Sequence, residues 1–128
     1  MTIRLLFNFS AVVEVLTGIS MLVAPGFVVG LLLGDGLSPI GIAVARILGI
    51  GLLSLGVSAW ENPQQENRVA RIGICVYNLG VAVLLGMLGT IAGMIGILLW
   101  PGVAFHGLIG AAMLAIILGP SLGRPAAD

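Results

Sequence analysis

Four predominantly apolar runs, residues 5–24, 41–60, 69–88 and 102–119, are interrupted by one hydrophilic segment, residues 61–68. An α-helix rises about 1.5 Å per residue and a bilayer's hydrocarbon core is about 30 Å thick, so each run of about 20 residues is one crossing. Lipid offers the backbone no hydrogen-bond partner, which makes the helix the conformation of choice for each run. The composition agrees: 59% of the 128 residues are hydrophobic and 8% are charged. A soluble domain of this length cannot bury so much apolar surface. The sequence therefore predicts an all-α membrane protein, a single domain over residues 1–128 built as an antiparallel bundle of four transmembrane helices.

The hydrophilic segment divides the chain into two helix pairs. Within each pair an apolar connector, residues 25–36 or 89–100, is too short to cross the bilayer. Both connectors are expected on the outer side, in the interface or as short re-entrant turns. Span, connector and span thus occur twice, with Gly18 and Gly86 in similar places before the connectors. Ser38 and Pro39 predict a helix start near Pro39, and Pro101 acts similarly before the fourth span.

Lysine is absent and five arginines balance five acidic residues. That leaves neither a nucleic-acid surface nor a polybasic lipid patch. The arginines outside the spans or at a span margin, Arg4, Arg68, Arg71 and Arg124, fall at the N-terminus, in or beside the central segment and at the C-terminus, and the connectors carry none. By the positive-inside rule both termini are cytoplasmic, with Trp60 at the inner interface and Trp100 at the outer one. Glu14 argues against reading the first span as a secretory signal. The expected location is a bacterial-type inner membrane. One cysteine, Cys75, and one histidine, His106, make neither a disulfide nor a metal cluster, so no metal site is expected.

Charge inside a span costs about 2.5 to 3.5 kcal/mol, which singles out Glu14, Arg46 and His106. Glu14 lies roughly 15 Å into the first helix, and Arg46 about 8 Å below the outer end of the second. Helical spacing places Ser10, Glu14, Thr17 and Met21 on one face, and Arg46, Gly49, Leu53 and Val57 on another. Arg71, Cys75, Asn78, Ala82 and Gly86 form a third, with Tyr77 pointing elsewhere. Gly102, His106, Gly110 and Met113 form the fourth. Glu14, Arg46, Asn78 and His106 are thereby predicted to meet in a common interior.

Three roles are open for this set. Glu14 and Arg46 neutralise one another while Asn78 and His106 complete their hydrogen bonds, as packing glue. Alternatively, Glu14 takes a proton and Arg46 holds an anionic or quinone-like headgroup. In the third case Arg46 snorkels away and leaves Glu14 protonated. Gly102, one turn before His106, leaves room for a flat tetrapyrrole over the imidazole. Gly89 to Gly93 is a literal GxxxG, and Ala45/Gly49, Ala82/Gly86 and Gly107/Ala111 are small-xxx-small pairs suited to close helix contact.

Leu16-Thr17-Gly18, Ala24-Pro25-Gly26, Ala45-Arg46-Ile47-Leu48-Gly49, Leu55-Gly56 and Ala104-Phe105-His106-Gly107-Leu108 together resemble the DoxX-like small four-helix membrane proteins. The resemblance covers most of the chain. It implies a compact four-helix bundle with both termini inside, related to quinone-linked oxidoreductase subunits or to assembly factors. The lack of a cysteine pair departs from any thiol-redox role. The resulting expectation is a non-catalytic accessory, assembly or structural subunit, without a cofactor, that packs against another membrane protein or a second copy of itself. The alternative is a subunit of a membrane redox system that binds quinone or another small ligand.

Overall fold

A computed structural model describes residues 3–61 and 67–119. Among these residues there are five helices: α1 (Ile3–Val23), α2 (Pro25–Leu33), α3 (Pro39–Ser58), α4 (Arg68–Thr90) and α5 (Leu99–Leu118). Four of them, α1, α3, α4 and α5, are long and apolar enough to cross a membrane. Their ends fall close to the spans expected from hydropathy, and α3 begins at Pro39. The Ser38 side chain accepts a hydrogen bond from the Gly41 amide at 3.1 Å, and Asn67 does the same for Ala70 at the start of α4. Each cap satisfies an amide that the first turn leaves without a helical partner.

The first connector is a helix in its own right. Pro25 starts α2, and Gly34, at φ +85°, ends it with its amide bonded to the Gly30 carbonyl. Nine residues rise roughly 13 Å, less than half the hydrocarbon core, so α2 does not span. The second connector is irregular and docks against α2: the Leu98 amide donates to the Leu31 carbonyl at 2.9 Å. Gly96 sits on the α2 backbone so closely that a methyl group there would lie 2.2 Å from the Leu32 carbonyl. The two connectors therefore close the same end of the bundle.

Helices α1 and α3 run antiparallel in backbone contact. A methyl on Gly18 would meet the Gly49 carbonyl oxygen at 2.7 Å, and one on Gly56 would meet that of Ala11 at 2.6 Å. On α4 and α5 the pairing is also antiparallel, with Gly110 against Leu79 and Gly102 against Leu85. The halves join over Leu6, Phe7, Ala11, Ala59, Ile74, Cys75 and Met113. A smaller cluster of Met21, Val29 and Ala45 fills the connector end.

Two expectations about glycine change here. Gly86 is not the counterpart of Gly18, because nothing lies within 4 Å of where its Cβ would stand. The GxxxG at Gly89 and Gly93 is not a helix face, since α4 ends at Thr90 and Gly93 adopts φ +67°.

Candidate functional site

The apolar spacing of α1 turns Phe7, Ser10, Ala11, Glu14, Gly18 and Met21 inward. Ser10 and Glu14 thus lie one turn apart on the buried face, with Glu14 only 1% exposed near the middle of its span. On α4 the same logic buries Asn78, and on α5 it leaves His106 half-buried. Three of the four expected site residues, Glu14, Asn78 and His106, come from three helices into one region. Ser10 and Tyr77 join them there.

The hydrogen bonds fix the order of this cluster. Asn78 Nδ2 donates to Ser10 Oγ at 3.1 Å and to the Ile74 carbonyl at 2.8 Å. An amide nitrogen with two acceptors assigns the other end as oxygen, so Asn78 Oδ1 is what faces His106 Nδ1 at 2.9 Å. His106 must donate through Nδ1, and in the neutral ring Nε2 is left as an acceptor. Among the described residues Nε2 has no hydrogen-bond partner.

Tyr77 connects this chain of bonds to Glu14. Its hydroxyl lies near enough to the Glu14 carboxyl to interact with it, and its ring meets that of His106 edge-on at 5.8 Å between centroids. Tyr77 was expected to point away from the interior. It turns in because Tyr77 and Asn78, about 100° apart around α4, straddle the groove between α1 and α5. Phe105 stands edge-on to His106 at 5.2 Å and packs against Phe9 at 6.0 Å. Glu14 Oε1 is buried and has no hydrogen-bond partner among the described residues.

Arg46 is not part of the cluster. It is exposed on α3 and forms no hydrogen bond or ion pair among the described residues. The buried stripe of α3 is Ala45, Gly49, Leu52 and Gly56 rather than Arg46, Gly49, Leu53 and Val57. Backbone contact through Gly49 and Gly56 sets the rotation of α3, and a helix turned to seat those glycines carries Arg46 out of the interface. A Cβ at Gly102 would stand 3.1 Å from Leu85 and 3.5 Å from Leu32.

A second polar cluster lies at the opposite end from the connectors. Glu61, 4% exposed, closes a side-on pair with Arg71: Nε to Oε1 at 2.5 Å and Nη2 to Oε2 at 2.6 Å. Asn8 clamps the Glu61 backbone, accepting from its amide at 2.8 Å and donating to its carbonyl at 3.1 Å. The Arg71 guanidinium also stands 5.5 Å from the centre of the Phe7 ring. Glu61 reads in sequence as the first residue of a solvated loop. The signals that could have found it are an asparagine inside the first apolar run and an arginine one turn into the third.

Comparisons with family models, with curated proteins and with solved structures found no match for the chain.

Proposed function

We propose that this integral membrane protein is a small-ligand-binding subunit whose working part is the cluster of Ser10, Glu14, Tyr77, Asn78 and His106. The observation that carries the reading is the unpartnered Oε1 of Glu14. The ion-pair form of a structural role called for a counter-charge, and the expected one, Arg46, faces outward. An ionised carboxyl that lacks its cation there costs several kcal/mol, on the order of the desolvation of one ion, so Glu14 either holds a proton or meets a ligand, and an ionisable group kept mid-membrane favours function over packing. A quinone carbonyl would find a donor at Oε1 only on a protonated Glu14, so the open atoms favour a ligand that donates.

The test is gentle purification from the native membrane, followed by mass spectrometry of what accompanies the protein. Glu14→Gln combined with His106→Asn is expected to give a folded bundle that has lost the small molecule. Retention of that molecule by the double variant would sink the reading.

One observation favours an accessory role as well. Gly73 and Gly80, seven residues apart on the exposed side of α4, have no atom within 4 Å of their Cβ positions, leaving a notch where a helix of another subunit or copy could lie. Likeness to the DoxX-like proteins belongs to this proposal too, and the four-span bundle is compatible with it.

The same proposal places the chain in a bacterial-type cytoplasmic membrane with both termini inside. Arg4, Arg68 and Arg71 cluster at the end away from the connectors, and Trp60 and Trp100, each about half exposed, sit at opposite ends. Arg124 and the segment 62–66 lie outside the described residues. A cysteine introduced at Gln65 is expected to resist a membrane-impermeant thiol reagent in intact cells, and one at Asp35 to react. Native Cys75 is buried and stays silent. The reverse labelling would invert the orientation.

A further inference from the structure

We infer that the Glu14 cluster takes a small cation that donates hydrogen bonds, an ammonium or short primary alkylammonium ion. The inference rests on the ligand-binding reading and adds the ligand's class.

Charge is the first argument. Of the charged groups on the elements packed round Glu14, Arg4 and Arg68 are exposed near helix ends, Arg46 is exposed on α3, and Arg71 is paired with Glu61. Helix α2 carries no charged residue, and the only ionisable group of α5 is His106, committed through Nδ1 to Asn78. No cation of this chain meets the Glu14 carboxyl among the described residues. A ligand that neutralises it replaces the missing counter-ion, whereas a neutral donor leaves the charge standing.

Hydrogen-bond polarity is the second. Two atoms of the cluster are open, Glu14 Oε1 and His106 Nε2, and with the carboxylate ionised both are acceptors. They flank Tyr77, whose hydroxyl reaches Glu14 and whose ring edge meets His106. An N–H-bearing cation has donors for both.

The experiment follows the thermal unfolding of the full chain in neutral detergent, titrated with ammonium, methylammonium, sodium or tetramethylammonium chloride at matched ionic strength. Ammonium and methylammonium are expected to raise Tm by several degrees, sodium and tetramethylammonium to leave it unchanged, and Glu14→Gln to abolish the response. Glu14→Asp keeps the charge but withdraws it by one methylene. It is expected to raise the half-saturating ammonium concentration at least tenfold, and it serves where the Gln variant does not fold. Equal responses to all four cations that depend on Glu14 overturn the donor-cation class while leaving a ligand site in place. No response in the wild type, or one that survives both substitutions, overturns the inference, and the co-purification experiment then decides separately whether Glu14 holds some other ligand.

Discussion

Glu61→Gln is expected to destabilise the bundle by about 3 kcal/mol, because it leaves the mostly buried Arg71 guanidinium beside a neutral amide. The Glu61 carboxylate is almost wholly buried and receives two charge-assisted bonds in the side-on geometry that suits guanidinium best. Its backbone is held in turn by both polar atoms of Asn8, so the pair ties the end of α3 to α1 and α4 at once. Arg71→Gln should cost a similar amount, and the double variant should recover part of the loss. Asn8→Ala, which removes two neutral bonds and leaves the ion pair, is expected to cost about 1 to 3 kcal/mol. Reversible unfolding in mixed micelles measures all four proteins. Strictly additive effects of the two charge removals would mean that the pair contributes no coupling.

Gly49→Ala is the second large effect, set against a neighbour on the same helix. The new methyl would stand 2.8 Å from the Gly18 carbonyl oxygen and 3.1 Å from Met21 Cβ, so α1 and α3 must separate. Overpacking of this kind costs about 1 to 3 kcal/mol. Gly51→Ala, two residues away on the exposed face with nothing within 4 Å, is expected to be neutral or to stabilise by up to about 1 kcal/mol through helix propensity. The same micelle unfolding decides it, and equal effects at the two positions would mean that the α1–α3 backbones do not touch. Gly49 also sets the rotation that carries Arg46 outward. Gly49→Leu is therefore a means of asking whether a displaced α3 alters the environment of Glu14.

The sequence by itself determined the crossings, because hydropathy over about 20 residues is a one-dimensional property that lipid reads directly. It also determined the helix starts at Ser38-Pro39, and it marked Glu14, Asn78 and His106 as the interior polar residues, because helical periodicity and the cost of burying a polar group act locally. Rotation of one helix against another is not local. Placing Arg46 opposite Glu14 and seating Gly49 against Gly18 require orientations of α3 about 60° apart, and only packing of the assembled helices decides between them. Close packing decided it, which left Glu14 beside the Tyr77 hydroxyl with one oxygen open. For the same reason Glu61 was legible only as a loop residue: its partners Asn8 and Arg71 belong to two other helices, and the ion pair exists only when the ends of α1, α3 and α4 are brought together.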